Sequence, residues 1–418
     1  MKLLSRFKKS EYAKNSAILM TGTVLSQVLK ALTQVVLALF LGDVVLGDYG
    51  KYLAWYSILI GVFTGRYELA IMLPKDDNDG FMITMLSSGL SVILASVMGV
   101  VLMVLQFGFQ VDVGWIRFLP ITLAILGVYF SINYWLNRKK KYKRLAINRT
   151  IQGFLVALFS AFFYWFKPTR QDSMIWGYIA SQAIVLVILL VYAINDYKSY
   201  QIKIDFKRMK ELALEHINFP KFSVISSVVN NLTMKLPILL LGFFENTSIV
   251  GQYTMMESIL AAPIALVSEA VRDVFRQKAS RDYVDDHECY QTYKVTFKTL
   301  ALAAIIPFIL IMFGGKPVLD IIYKKEFAMA GYFIMIMAPF FYIRFVAAPL
   351  TFMTFIAGKQ AFDMKWQIAF CISSSVAFLL GFALTHNPYI MVLLYGISNG
   401  VMYTISLLYT RKLAKGQT

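Results

Sequence analysis

Residues 39–52 read LFLGDVVLGDYGKY, and residues 240–253, which start 201 positions later, read LLGFFENTSIVGQY. At this offset Gly50 and Tyr52 align with Gly251 and Tyr253. In both copies, a short turn with an acidic residue leads from one long apolar run into the next. Such self-similarity at a fixed offset predicts that the chain consists of two related halves.

The composition around these copies is typical of a membrane protein. Of the 418 residues, 58% are hydrophobic and 16% are charged, and the mean hydropathy is +0.62, well above the usual range for soluble domains. Apolar runs of about 20 residues, the length that crosses a bilayer, recur along the chain. They predict about twelve transmembrane helices, at 15–41, 51–73, 81–105, 115–136, 147–166, 174–194, 221–243, 250–271, 294–313, 328–356, 363–384 and 389–410.

The net charge of +17 reflects membrane topology and does not indicate a nucleic-acid partner. Most Lys and Arg residues fall before the first span, after the fourth, sixth and eighth spans, and at the C-terminus. Cytoplasmic loops carry such an excess of positive charge, so both termini are predicted to be cytoplasmic. The basic start resembles a signal-peptide leader, but the apolar run that follows is too long for one and is predicted to be retained.

Six spans in each half orient both halves the same way in the membrane. This describes a parallel repeat about an axis along the membrane normal. The predicted domains are an N-terminal lobe at 1–197, a basic cytoplasmic connector at 198–216 and a C-terminal lobe at 217–418. Transporters of this kind bind substrate between their halves and alternate access to it. The alternative is that two helix pairs share a few small residues by chance.

Polar residues inside the predicted spans are candidates for binding substrate. In the first span, Gln27, Lys30 and Gln34 share one helical face, and Asn231 and Lys235 repeat this pattern in the seventh. A charge within a membrane helix is costly and usually faces a cavity or a partner. The alternative, especially for the amides, is hydrogen bonding between packed helices.

Arg344 is a third interior cation and lies in the tenth span between Pro339 and Pro349. Each proline tends to kink its helix. A guanidinium in a bent helix can bind phosphate or carboxylate through paired hydrogen bonds. The alternative is a structural arginine that pairs with Glu257.

Arg66 and Glu68 add two charges near the inner end of the second span. Two residues apart on an α-helix, they point to different faces and are predicted not to pair. Glu68 is interpreted as a gate or proton-titrating group, or alternatively as a partner of the basic loop after the fourth span. At the matching end of the eighth span, Glu269 and Arg272 predict a second part of this cytoplasmic latch.

Enzyme motifs are missing from the sequence. It contains no nucleotide-binding P-loop, and its three histidines lack metal-ligand spacing. Cys289 and Cys371 are predicted to be reduced, because one falls in an inward loop and the other in a helix. We expect no catalytic residue, bound metal or cofactor. A membrane polymerase or ligase would need a longer outward domain than the short loops provide.

Three segments carry a resemblance to a known family: NSAILMTGT at 15–23, DYGKY at 48–52 and GRYELAIMLP at 65–74. They resemble the polysaccharide repeat-unit flippases, the O-antigen and capsule exporters of the multidrug/oligosaccharidyl-lipid/polysaccharide (MOP) superfamily. The resemblance implies two six-helix lobes around a central cavity, as in the drug-extruding (MATE) branch. It also implies a multi-pass protein of the bacterial cytoplasmic membrane.

The function implied by the resemblance is flipping of an undecaprenyl-pyrophosphate-linked oligosaccharide from the inner to the outer leaflet, for lipopolysaccharide, capsule or exopolysaccharide synthesis. Proton or sodium gradients would couple the cycle, and a glycan polymerase and a chain-length regulator would be partners. Interior cations fit this anionic cargo. The alternative is a cation-coupled drug exporter of the same fold, in which Glu68, Glu257 and Glu269 would bind and couple.

Overall fold

The computed structural model describes residues 11–166, 172–200 and 203–417. Its side chains are described from residue 25 onward, except at 263, 265–270, 273, 277, 284, 360 and 361. Every regular element in the described ranges is helical, as the predicted all-α class requires.

The α-helices follow one another through the chain and are joined mostly by short turns. They are α1 (Glu11–Phe63), α2 (Asp77–Met103), α3 (Leu119–Arg138), α4 (Tyr142–Trp165), α5 (Ser173–Ser199), α6 (Phe206–Glu215), α7 (Val224–Phe244), α8 (Thr247–Asp286), α9 (Tyr290–Ile322), α10 (Ala328–Leu350), α11 (Met353–Ile356), α12 (Gln360–Thr385) and α13 (Pro388–Ala414). Short 3₁₀ and π segments lie at Tyr67–Met72, Val104–Gly108, Gly114–Phe118 and Phe219–Ser223.

Within the described residues, ten helical intervals are long and apolar enough to cross a membrane, and the protein is a multi-pass membrane protein. One of them, Leu25–Phe63, joins parts of the first two predicted spans. Another predicted span, 250–271, lies in α8, which is not among the ten. The count of twelve and the cytoplasmic termini stay predictions.

Gly42 divides α1 into two helical arms. Its φ of 75° and ψ of 178° are non-helical, and glycine adopts a positive φ without the steric cost of a side chain. A Cβ at this position would lie 2.7 Å from Oε1 of Glu326. The turn predicted between the first two spans is therefore a sharp break at one residue.

The chain forms two compact units. The first contains residues up to Thr33 and Lys51–Asn231, and the second contains Gln34–Gly50 and the chain from Leu232 onward. The tip of α1 on both sides of Gly42 thus belongs to the second unit, whereas the arms that lead to it belong to the first. The lobe boundaries predicted from the repeat stay predictions.

Small residues bring the helices of each unit close together. In the first unit, a Cβ on Gly127 of α3 would lie 1.8 Å from Oγ of Ser91 on α2. In the second unit, a Cβ on Gly381 of α12 would lie 2.7 Å from Cα of Met391 on α13. Helices in lipid associate largely through such close contacts, and this packing fixes the positions of the interior polar groups.

Candidate functional site

Lys30, the interior lysine of the first unit, is held by a chain of amides. Its Nζ donates to Oε1 of Gln152 over 2.7 Å, and Nε2 of Gln152 donates to Oε1 of Gln182. Both glutamines are buried, with 6% and 1% of their surface exposed. Because an amide oxygen carries no formal charge, this contact orients the ammonium group without neutralising it.

Close packing of α4 against α1 brings the amide to the lysine. A Cβ on Gly153 would lie 2.8 Å from Cα of Ser26, one turn before Lys30. Arg149 is close enough to Lys30 for the two positive charges to repel. Arg149 lies where the basic cluster after the fourth predicted span meets the fifth span, and its spacing of three residues from Gln152 places it on the same face of α4. The polar cluster of the first unit therefore holds two cations.

The stretch that contains Arg66 and Glu68 is a turn beyond the spanning helix. Helix α1 ends at Phe63, and Gly65 and Arg66 have φ angles of 59° and 56°. This left-handed turn brings Nη1 of Arg66 within 3.2 Å of Oε1 of Glu68. The predicted span 51–73 therefore ends too late. The prediction that the two side chains cannot pair is also wrong, because it assumed α-helical geometry.

Glu68 is a buried carboxylate in which one oxygen accepts no hydrogen bond from the described residues. Its residue is 4% exposed, and neither its Oε2 nor Nε of Arg66 has a hydrogen-bond partner among the described residues. Burial raises the pKa of Glu68, which lies past the spanning interval Leu25–Phe63, and the positive charge of Arg66 opposes that rise. Glu68 therefore takes up a proton at a higher pH than an ordinary carboxylate does.

Arg138, the last residue of α3 and part of the basic cluster predicted as a loop after the fourth span, fixes the segment that follows this turn. Its Nη1 donates to the carbonyls of Ile71 and Pro74 over 3.0 and 2.8 Å, and its Nε donates to Oδ1 of Asp77 over 3.0 Å. A salt bridge between this basic cluster and Glu68 is one of the two predictions for Glu68. The arginine pairs with Asp77 instead, and Arg66 remains the described partner of Glu68.

In the second unit, the interior lysine is neutralised by a carboxylate. Nζ of Lys235 lies 2.8 and 3.0 Å from the two carboxylate oxygens of Glu257. The two side chains are 24% and 21% exposed. The ion pair offsets the cost of placing each charge in a helix. Lys235 and its partner together carry no net charge, whereas Lys30 and its amide partner together carry one positive charge.

A proline shapes α7 just beyond Lys235. Pro237 has no N–H group, so it cannot donate the usual helical hydrogen bond to the carbonyl of Thr233, four residues earlier. The hydroxyl of Tyr395 on α13 donates to this carbonyl over 3.2 Å. Tyr395 therefore ties α13 to the turn of α7 that carries Lys235.

We expect Tyr395→Phe to destabilise the protein modestly. The change removes the hydrogen bond that the Tyr395 hydroxyl donates to Thr233, at a cost of about 1 kcal/mol or somewhat more. A lower midpoint in thermal unfolding of the purified protein would show this. Tyr403→Phe is the matched control, because the hydroxyl of Tyr403 on the same helix makes no hydrogen bond to the described residues. Equal midpoints for the two variants would contradict the assigned role of Tyr395.

Arg344 belongs to the same neighbourhood but lacks a carboxylate. Its guanidinium carbon lies 5.7 Å from the ring centre of Phe341. The charges of Arg344 and Glu257 both act on the buried tyrosines Tyr253 and Tyr395. Among the described residues no carboxylate forms an ion pair with Arg344, since Glu257 binds Lys235. Arg344 is half-buried and available to an anion.

The tip of α1 is fastened within the second unit by side-chain hydrogen bonds. The hydroxyl of Ser258 donates to Oε1 of Gln34 over 2.6 Å. Nearer to the break, Oδ2 of Asp43 accepts hydrogen bonds from the hydroxyl of Ser248 and, over 2.9 Å, from Nε2 of Gln252. Gln34 is thus bound to α8, in the manner of the helix-packing alternative.

Sequence comparison assigns the protein to a family. The family of polysaccharide biosynthesis proteins matches residues 69–330, which is more than half of the chain. The chain belongs to this family. The predicted resemblance to a family that serves polysaccharide synthesis is thereby confirmed. No curated protein matches the sequence.

Solved structures support the same fold for this family member. The lipid II flippase MurJ in an inward closed conformation matches with a TM-score of 0.72 at 11% identity, over 96% of this chain and 90% of MurJ. The inward-facing conformation of a multidrug resistance MATE family transporter of the MOP superfamily gives 0.65 at 12% identity, over 96% and 98%. The outward-facing conformation of such a transporter also gives 0.65 at 12% identity, over 98% of each chain.

The remaining predicted residues of this family member have varied environments. Nδ2 of Asn231 donates to the carbonyl of Ser57 over 2.7 Å, so it too makes a helix-packing hydrogen bond. Gln27 and Arg272 are exposed. The predicted latch residue Glu269 lies outside the described side chains. Within the described part of the chain, no group of three potential metal ligands occurs.

Proposed function

We propose that this protein is a flippase that moves an undecaprenyl-pyrophosphate-linked oligosaccharide repeat unit across the bacterial cytoplasmic membrane by alternating access through a cationic cavity. It would serve O-antigen, capsule or exopolysaccharide synthesis without catalytic chemistry of its own. A glycan polymerase and a chain-length regulator would act on the exported unit. Membership of the polysaccharide biosynthesis family supports this proposal, as does a fold shared with a lipid II flippase.

The observation that carries the proposal is the set of partners around the interior cations. Lys30 is held by a neutral amide, and Arg344 has no ion-pair partner among the described carboxylates. Both would therefore present net positive charge to the cargo. A pyrophosphate matches these groups, because charge-assisted hydrogen bonds to phosphate are among the strongest that side chains form.

The same charges disfavour export of a cationic drug. Such cargo would bind to interior carboxylates, and Glu257 is already neutralised by Lys235. Glu68 is paired with Arg66 and buried in the short segment beyond α1. A strain without this protein should consequently keep its normal sensitivity to cationic drugs. Drug sensitivity with unchanged lipid-linked glycans would favour the exporter.

Coupling to a proton gradient has a candidate group in Glu68. Protonation would discharge the carboxylate and weaken its pair with Arg66. A change in this turn could then bias the protein between its states, and Glu257, Glu269 and Arg272 are the candidates for related roles in the second half. Sodium is the other candidate coupling ion.

The direct test uses a strain that lacks this protein. We expect it to accumulate the lipid-linked repeat unit in the membrane, lose its surface polysaccharide and recover when the chain is supplied. Lys30→Ala and Arg344→Ala should each lower export about tenfold to a hundredfold, since a hydrogen bond to a charged group contributes about 1.5–3 kcal/mol. Both variants should still insert into the membrane.

Lys210→Ala is the matched control, because it removes an exposed lysine from α6 and should leave export unchanged. Full export by both alanine variants would overturn the cationic-cavity mechanism. A deletion strain without accumulated lipid-linked glycan would overturn the flippase function.

A further inference from the structure

Three cations of the second unit surround one tyrosine. Nη2 of Arg411 donates to the hydroxyl oxygen of Tyr290 over 3.3 Å. Nζ of Lys415 lies 4.9 Å from the centre of the Tyr290 ring. Lys294 follows Tyr290 by four residues on the same face of α9, and its charge acts on the same hydroxyl. These four residues are called the Tyr290 cluster below.

Backbone contacts hold the two helices of the Tyr290 cluster together. Helix α9 begins at Tyr290, and α13 ends at Ala414. The N–H group of Cys289 donates to the carbonyl of Ala414 over 2.8 Å. Three residues into α9, the hydroxyl of Tyr293 donates to the carbonyl of Leu407 over 2.9 Å. The start of α9 is therefore fixed to the end of α13, and the fold itself brings the cations together.

The cations of the Tyr290 cluster have no carboxylate partner among the described residues. Other cations of the second unit do have one: Lys235 pairs with Glu257. Lys316 likewise pairs with Asp320, four residues further along α9. The Tyr290 cluster therefore holds three positive charges without an ion-pair partner in the described part of the chain. Because like charges repel, an anion bound between them is stabilised by all three.

The Tyr290 cluster lies at the ends of two membrane-spanning intervals. Tyr290 is the first residue of the interval Tyr290–Ile322, and Arg411 lies three residues before the end of Pro388–Ala414. Helix α9 has 33 residues and is therefore about 50 Å long. Since the hydrocarbon core of a bilayer is only ~30 Å thick, the helix ends reach the level of the lipid headgroups.

The helix faces that carry the cations continue into exposed apolar side chains. Leu302 lies eight residues after Lys294 on the same side of α9 and is 72% exposed. Leu408 lies three residues before Arg411 on α13 and is 56% exposed. A lipid with its phosphate at the cluster can thus lay its acyl chains along both helices. A soluble phosphate would not use this apolar surface.

We propose that the Tyr290 cluster binds the phosphate of an anionic phospholipid in the leaflet at this end of the second unit. Basic pockets between transmembrane helices bind such headgroups. Arg411 holds the phosphate through paired hydrogen bonds, and the two lysines add charge. This lipid is a constituent of the membrane and not the cargo. By bridging the start of α9 and the end of α13, it stabilises the unit.

The test is native mass spectrometry of the full-length protein, released from mixed micelles that contain phosphatidylglycerol and phosphatidylcholine. The mass of each retained lipid identifies it. We expect the protein to retain anionic phosphatidylglycerol in preference to zwitterionic phosphatidylcholine. Arg411→Gln and Lys415→Gln should each weaken phosphatidylglycerol binding about fivefold, as expected for the loss of one cation near an anionic headgroup, and the double variant about 25-fold.

Lys365→Gln is the matched control, because it removes the same charge from an exposed position near the start of α12. This helix reaches the same end of the unit, since Phe362 stacks on Tyr409 of α13 with ring centres 3.6 Å apart. No described contact joins Lys365 to the Tyr290 cluster, so the control should retain phosphatidylglycerol like the wild type. Equal unfolding midpoints in phosphatidylcholine alone would show that all variants are folded.

Equal retention of the two lipids by the wild type would overturn the proposal. Unchanged retention of phosphatidylglycerol by the folded double variant would do the same, as would an equal loss in Lys365→Gln, which would indicate general surface charge. Displacement of the bound lipid by millimolar inorganic phosphate would identify a site for a soluble anion and would also refute the lipid assignment.

Discussion

Gly251→Ala is expected to destabilise the protein strongly and to abolish transport. A Cβ on Gly251 of α8 would lie 1.8 Å from the carbonyl oxygen of Asp43 and 2.7 Å from its carbonyl carbon. These atoms are backbone, so no rotamer change can relieve the clash. Overpacking of this kind costs about 1–3 kcal/mol and sometimes more. Here it would push the tip of α1 away from α8.

The measurement is the thermal unfolding midpoint of the purified variant, combined with export in the deletion strain. Gly89→Ala is the control, because a Cβ on Gly89 of α2 meets nothing within 4 Å. Alanine favours a helix over glycine by about 1 kcal/mol, so the control should be unchanged or slightly more stable. A Gly251→Ala midpoint equal to that of Gly89→Ala would show that the tip is not held in this contact.

The close contact at Gly251 also shows what the repeat could predict. The alignment of Gly50 with Gly251 marks two positions without room for a side chain. A Cβ on Gly50 would lie 2.2 Å from Oγ1 of Thr254. The sequence thus located both glycines at helix entries. It could not show that residues 34–50 pack within the second unit, because that contact joins segments about 200 residues apart.

The incorrect predictions for residues 51–73 arise from backbone conformation that the hydrophobic pattern does not reveal. The apolar run through residues 51–73 has the length and composition of one span, but Gly65 and Arg66 adopt left-handed conformations that end the helix. A non-glycine residue with positive φ is uncommon, so hydrophobicity alone gave no sign of it. The Arg66–Glu68 pair follows from this turn.

The interior cations were predictable as positions, but their partners were not. Lys30 and Lys235 are recognisable because charge is rare within apolar runs. Whether each lysine is neutralised depends on its partner, Gln152 or Glu257, and both partners lie on other helices. Arg149 was missed because its place at the edge of a basic cluster resembles a loop. Contacts between helices, not residue types, determine which cation remains uncompensated.

Glu68→Lys should impair transport severely. It places a second positive charge beside Arg66 in a site where Glu68 is 4% exposed, and breaking a buried ion pair costs about 3–5 kcal/mol. We expect less protein in the membrane and little export from what remains. The double variant Arg66→Glu with Glu68→Lys restores opposite charges and should recover part of both. Normal export by Glu68→Lys alone would refute the gate hypothesis.

The isosteric variant Glu68→Gln separates the charge of the carboxylate from its packing. Because burial raises the pKa of Glu68, the folded protein binds a proton that the unfolded chain has released, in the pH range between the two pKa values. Stability therefore falls as pH rises through this range. The unfolding midpoint of the wild type relative to Glu68→Gln should rise as the pH is lowered from neutral. A difference that stays constant with pH would mean that Glu68 does not titrate there, and would remove it as the proton-coupling group.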